Sequence, residues 1–451
     1  MDTRLVLATL AASVFSGFLG IGAERSAAAT LWVGNNGTDG LACGAQNKPC
    51  RSISQAIENA TDGDTIEVGE GRYGDITGAG TYRGGGDEHG QQAEITGCML
   101  CITKAVHVLS LHGAAVTFIQ ETTGGPFGAA VEILHDGVTF GTKGNGFTIA
   151  GSSYGVLVAA NTRFTTISIV QPIRVAGNVA VGVGTGFSYF GPEFVDRPCI
   201  GCVFTGQVLF SDNEADADGT GVQINTGQND GEPIVIQNNV ARNGGTGFSL
   251  VPGPANEAAL TVIGGGNVSF LNNVATGNGV GFNTNSSGDI RGNIASGNSQ
   301  IGFVVVPGGG LFTGNTAVGN AGPGVVVQYS ADGQSPDPTG SPPSFRSFSS
   351  NNFFGNDRNR PQLQLTVQDL FGAVTSFDAG PGAHCGVLNV GALAWVIEPG
   401  QTLVPVHLKA DNNYWGSASG PSASGVGDAV GGACDQNKAT TTAVPFATAF
   451  F

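Results

Sequence analysis

Apolar and polar positions along the middle of the chain follow one recurring phrase. Asn-x-Ala occurs at Asn178, Asn213, Asn239, Asn273, Asn293 and Asn315, with a looser copy at Asn352. A Gly-apolar pair follows the first six copies, at Gly186-Phe187, Gly221-Val222, Gly247-Phe248, Gly281-Phe282, Gly302-Phe303 and Gly324-Val325. The step from Asn to Gly is always 8 or 9 residues, whereas the step from Gly to the next Asn runs from 12 to 28. Three residues before each Asn stands Val175, Phe210, Ile236, Phe270, Ile290 or Phe312, while the adjoining positions include Arg174, Ser269, Asp289 and Arg291. That is a period of two, which predicts strands with one buried face rather than helices.

A turn of fixed length on one side and inserts on the other predict a solenoid, whose coils bury their apolar faces only against one another. Coils stacked about 4.8 Å apart would put each Phe or Ile over its counterpart and pair the strands in parallel. The repeated Asn fits a tight left-handed turn, and its amide can bond to the equivalent amide one coil on. The ends need covers, because an open coil exposes core and unpaired strand edges. Ser52-Ile53-Ser54-Gln55 reads as a capping box opening a helix with an apolar stripe at Ile53, Ala56, Ile57 and Ala60. Tyr414, Trp415, Pro445 and Phe446 are the expected cover at the far end.

These coils resemble the right-handed parallel β-helix repeats of the pectin-lyase-like superfamily over roughly residues 130–360. The stretch LWVGNNGTDG followed by KPCRSISQAIENATDGDTIEVGEGRY is similar to the N-terminal cap of secreted bacterial members, and NNYWGSASGPS with GVGDAV and VPF to their final coil. The resemblance implies an all-β right-handed parallel β-helix with a short N-terminal capping helix. The expected organisation is a signal peptide at 1–29, a cap with first strands at 30–75, coils with rim loops at 76–360, and terminal coils with a C-terminal cap at 361–451.

Composition narrows the function. Of 451 residues 75 are glycine and only 12% are charged, which favours strands and turns, while 40% apolar residues suffice for a continuous core. Residues 1–29 read as a secretory signal, with Asp2 and Arg4 before an apolar run and Ala27-Ala28-Ala29 before Thr30. No later stretch is long and apolar enough to span a membrane. The formal charge of −16 survives removal of the signal and argues against nucleic acid, which needs a basic footprint. It would also repel polyuronates unless a cation such as calcium bridged them, whereas neutral glycans meet no barrier. Eight cysteines in an exported chain predict disulfides. Their spacing suggests local pairs, Cys43 with Cys50, Cys98 with Cys101, Cys199 with Cys202 and Cys385 with Cys434, one of roughly 100 connectivities.

Inserts that all leave the coil after the Gly-Phe strand would build one rim, as in Gly191 to Cys202 and Ser330 to Phe345. Outward positions on that strand are Ser188, Phe190, Gln223, Asn225, Ser249, Asn283 and Asn285, a polar, uncharged row beside an aromatic ring. Such a row suits sugar hydroxyls and equally suits an inert soluble face. The run SDNEADADGTG sets Asp212, Glu214, Asp216 and Asp218 at alternate positions before Gly219, like the start of a calcium loop. The twelfth position from Glu214 is Asn225 rather than a bidentate Glu, so a solvated acidic turn stands beside calcium as a reading.

The resemblance also implies what an enzyme would need: clustered Asp for calcium with an Arg or Lys base in lyases, or a converging Asp pair in hydrolases. No Asn-Thr-Asp, Asp-Asp, Gly-His-Gly or Asp-Pro-His set is present. The bases Lys143, Arg163, Arg174, Arg242 and Arg291 are scattered, and the six histidines show no metal spacing. The expectation is therefore an exported monomer presenting a loop-walled groove to an extracellular polysaccharide, in a binding or surface-scaffold role. The alternative is a polysaccharide lyase or glycoside hydrolase of the same superfamily.

Overall fold

The computed structural model describes residues 27–75, 87–90, 97–121, 127–159, 169–191, 206–226, 233–251, 268–285, 288–328, 344–358, 365–368, 374–377, 384–390, 406–421, 427–436 and 439–451. Three long sheets of 11, 10 and 11 strands run along it, every strand parallel to its neighbours. Successive strands of the chain step from the first sheet to the second to the third and back, as in Val208–Ser211, Glu214–Asp216 and Thr220–Asn225. This is a right-handed parallel β-helix, the hand that parallel crossovers adopt.

Each of the three sheets contributes a column to the core. Along the first, Phe140, Val175, Phe210, Ile236, Phe270, Ile290, Phe312 and Phe348 stand in register, and all are buried. The second supplies alanine at six successive coils, Ala180, Ala215, Ala241, Ala275, Ala295 and Ala317, and ends on Phe353. On the third, the rings of Phe248, Phe282 and Phe303 stack at 4.7 Å centroid spacing. They meet Phe270 and Phe312 of the first sheet edge to face.

Every word of the sequence phrase has a steric or hydrogen-bonding reason. In Asn-x-Ala, each Asn Oδ1 accepts the backbone N–H and the Nδ2 of the Asn one coil earlier, giving a ladder through Asn178, Asn213, Asn239, Asn273, Asn293, Asn315, Asn351 and Asn413. The looser copy enters this ladder at Asn351, one residue before the expected Asn352. The left-handed position also differs from expectation. It is the residue before the ladder Asn: Gly177, Asp212, Asn238, Asn272, Gly292, Gly314, Ser350 and Asn412, with φ between 53° and 69°. The Asn itself faces inward and is buried.

A second ladder, Asn278, Asn298, Asn320 and Asn356, closes the turn into the third sheet and ends on the Asp428 carboxylate. The Gly of Gly-Phe is needed for closeness, not for unusual torsions. A Cβ on Gly221 would lie 2.5 Å from Ala241 Cβ and 2.6 Å from Gly247 O, and one on Gly247 would lie 2.6 Å from Gly281 O. Alanine and glycine thus let the second and third sheets meet at a sharp corner.

The N-terminal plug is the helix Ile53–Asn59, with Ile53, Ala56, Ile57 and the following Ala60 buried on the core. Ser52 Oγ accepts from Gln55 N at 3.2 Å, so half of the expected capping box forms. The Gln55 side chain instead donates to Glu58 and Asn59, and Ser52 N is taken by Asp39. Glu88 completes the cap from afar, accepting from Ile53 N, Ser54 N and Ser54 Oγ at 2.6–2.9 Å. Burial pushes the Glu88 carboxyl above the ordinary glutamate range against the pull of those three donors.

Because its folded pKa is raised, the stability Glu88 contributes is fully present below its unfolded pKa of about 4.3 and is lost as pH rises through the folded value. Glu88→Gln should therefore flatten the melting temperature against pH across that window. Superimposable pH profiles for the two proteins would remove the argument.

At the far end Trp415 is fully buried against Phe353, with ring centroids 5.1 Å apart, and Phe446 packs on the same core. Leu365–Gln368 and Val374–Phe377 form a separate antiparallel pair. Val387–Val390 rejoins the third sheet. Val406–Lys409 pairs with Ala439–Thr442 in a small parallel sheet of its own. Disulfides join Cys43 to Cys50, Cys98 to Cys101 and Cys385 to Cys434. Cys199 and Cys202 lie outside the described residues, as does the stretch 1–26.

Candidate functional site

The outer face of the third sheet changes character along the solenoid because each side-chain file is in strict register. One file reads Leu157, Ser188, Gln223, Ser249, Asn283, Val304, Val326, Leu388. The next reads Ala159, Phe190, Asn225, Val251, then on the later coils Asn285 and Val306. A third file reads Tyr154, Thr185, Thr220, Thr246, Val280, Ile301. The uncharged polar residues of these files therefore fall on four coils, with Val251 and Val280 among them, and mainly apolar residues follow on both sides.

The apolar ends are covered. Toward the N-terminus, Ala129, Leu157 and Ala159 are buried with Leu134, Tyr154 and Phe190 packed on them. Toward the C-terminus, Ile301, Val326, Leu388 and Val390 are buried with Cys385, Ala429 and Cys434. Between them Gln223 and Asn225 are half-buried, Asn283 is exposed, and Phe190 is half-buried. The Phe190 ring is fixed by an edge-to-face contact with Tyr154 at 5.6 Å and 80°.

Two of the residues expected on this face are shut away from solvent. Ser188 is fully buried and its hydroxyl meets no partner among the described residues, and Ser249 is buried as well. Asn285 stands on the same strand, but its side chain lies outside the described residues. The rim stretches 192–205 and 329–343 lie outside them too. Sequence reasoning missed the threonine file, although its signal was present: Thr185, Thr220 and Thr246 each immediately precede the Gly of the Gly-apolar pair.

The acidic run does not gather as a calcium loop would. Asp212 is the left-handed turn residue and pairs with Lys143 at 3.0 Å. Glu214 and Asp216 point outward from one strand, and Arg242 of the next coil pairs with both. Asn243 Nδ2 also donates to both oxygens of Asp216, at 3.1 and 3.2 Å, and Asp218 lies exposed beyond the strand. The alternation that suggested a calcium loop is the period of a strand. Among the described residues no three His, Cys, Asp or Glu side chains are grouped to hold a metal ion. Added calcium should therefore leave the melting midpoint where chelator leaves it. A rise that follows calcium concentration would restore the site.

The cations expected to be scattered are so, and Lys143, Arg242 and Arg291 each face an acid. Asp289 lies between Arg291 and Arg346 and accepts from Leu311 N. Burial alone would raise its carboxyl, but the Arg291 bond and these neighbours hold it below the ordinary aspartate range. Arg174 is exposed on the first sheet, and Arg163 lies outside the described residues. Asp75 and Glu121 are paired in register on adjacent coils, but both are buried and out of reach of a polymer.

No helix among the described residues is long and apolar enough to cross a membrane. No known family model matches this chain, and no curated protein does. Among solved structures, the chain is similar to the A-module of the mannuronan C-5 epimerase AlgE6 of Azotobacter vinelandii, with 17% identity over 86% of this chain and 93% of that chain and a TM-score of 0.42.

Proposed function

We propose that the outer face of the third sheet binds a neutral extracellular polysaccharide, and that the protein serves as an exported, monomeric binding or scaffold protein. The observation that carries this reading is the strip of Thr185, Thr220, Thr246, Gln223, Asn225 and Asn283 beside the fixed ring of Phe190. Hydroxyls and amides both donate and accept, as sugar hydroxyls do, and an aromatic ring accepts the apolar face of a pyranose. Neutrality of the strip and a net charge of −16 weigh against polyuronates. Three disulfides suit the oxidising compartment that export through the N-terminal signal would reach.

Electrophoresis through gels containing neutral glucans, mannans or xylans should retard the protein, and pectate or alginate should not. Reducing ends and unsaturated products should stay at background in the same mixtures, with or without calcium. Migration unchanged by every neutral polymer would defeat the proposal, and sustained product formation would replace it with the lyase or hydrolase reading.

A further inference from the structure

At the C-terminal end of the solenoid, we infer that Thr442 is an acyl-accepting nucleophile with His407 as its base, so that the protein cleaves short carboxylic esters at a site apart from the third sheet. The residues belong to the small parallel sheet of Val406–Lys409 and Ala439–Thr442. Alternation buries Leu408 and Ala439 and leaves His407, Lys409, Thr440 and Thr442 exposed on one face. The register sets His407 opposite Thr440 and Lys409 opposite Thr442. The imidazole bridges the two hydroxyls, with Nδ1 2.9 Å from Thr440 Oγ1 and Nε2 3.2 Å from Thr442 Oγ1.

A neutral imidazole carries one N–H and one bare nitrogen, so it donates to one of these hydroxyls and accepts from the other. Donation from Nδ1 to Thr440 leaves Nε2 to accept the Thr442 proton, the order of nucleophile, base and orienting group that acyl transfer needs. Thr440 is then a positioning residue. Thr442 takes the reacting role because Lys409 is its partner in register, a cation 3.4 Å from Asp411 that can meet a developing oxyanion. The strand beneath is held: Asp435 accepts from Thr441 N and Thr441 Oγ1 at 2.9 and 2.6 Å, and Ala410 N donates to Thr442 O. Thr442 Oγ bonds to the ester carbonyl carbon while its proton passes to His407 Nε2. The bond from that carbon to the alcohol oxygen then breaks, and the alcohol leaves with the proton. Water repeats the step on the acyl-threonine, frees the carboxylic acid and restores the hydroxyl. A hydroxyl orients the ring without the charge a carboxylate would lend the imidazolium, so turnover is slow and the acyl-threonine accumulates. A face this open grips no long acyl chain, which makes short esters the substrate class.

The test uses the full chain with 4-nitrophenyl acetate, followed by absorbance and by peptide mass spectrometry. Nitrophenol should appear in a burst, with one acetyl group on Thr442. Thr442→Val should lose both burst and label, and Thr442→Ser should keep both. His407→Ala should slow acylation by about 100-fold, the usual worth of a positioned base. Thr440→Val should lower kcat about tenfold at unchanged KM, and Thr440→Ser should restore it. Release no faster than that by an equal concentration of free imidazole, or a burst that survives Thr442→Val, overturns the inference. Ester cleavage makes neither reducing ends nor unsaturated products, so either result leaves the reading of the third sheet untouched.

Discussion

Asn273→Ala should destabilise the protein by about 3–9 kcal/mol, since three buried groups at roughly 1–3 kcal/mol each lose a partner. Asn273 Oδ1 accepts both Asn239 N and Asn239 Nδ2 at 3.0 Å, and its own Nδ2 donates to Ile236 O at 2.8 Å. All of these atoms are buried, so no water replaces the amide. Asn273→Asp should be no gentler at neutral pH, because it keeps the acceptor but puts an unpaired charge where Ile236 O and Asn293 Oδ1 need a donor. Asp428 shows where a carboxylate is tolerated. It ends the second ladder, accepting from Gly355 N, Asn356 N and Asn356 Nδ2 with no amide beyond it to supply. Chemical denaturation of Asn273→Ala beside Asp428→Asn checks the contrast: a large loss for the first and a lesser one for the second, whose amide keeps the acceptor for Asn356 and leaves only Gly355 N facing a donor. Equal losses would mean that the ladders are not polarised as described.

Phe282→Ala should cost about 3–5 kcal/mol, the range for emptying a buried aromatic site. Phe282 is fully buried and its ring is sandwiched between Phe248 and Phe303, so the cavity would open in the middle of the column. Backbones held by ladders on both sides cannot collapse to fill it. Coils contact mainly their neighbours, so a break in the middle lowers the coupling between the two halves of the solenoid. Calorimetry should show the single transition of the wild type broadening or splitting, and hydrogen exchange should speed up first in coils around Thr276 and Ser296. A uniform downward shift with unchanged shape would place the cooperativity elsewhere. Phe282→Leu should recover most of the loss, because it refills most of the volume without the stack.

Much of this molecule was legible in the order of its residues, because each coil obeys the same local chemistry and the same neighbours recur. The period-two column from Val175 to Phe312, the fixed turn and the plug helix all follow from short-range spacing, and the spacing suggested the cysteine pairs without deciding among their connectivities. A one-residue error at Asn351 was enough to show the limit of that reading. Two adjacent asparagines are equivalent in a string, and only the ladder decides which one turns inward. Burial of Ser188 and Ser249, both polar on an outward position, was likewise invisible, since it depends on what lies over the sheet. The pairing of Glu214 and Asp216 with Arg242 joins residues a coil apart, so the acidic run alone could not show it. That the chain coils, and where each coil turns, is written in the order of its residues, since those choices rest on contacts within about one repeat. Which outward residues remain open to a ligand was decided by tertiary structure alone, because exposure belongs to the stacked surface and not to any one segment of it.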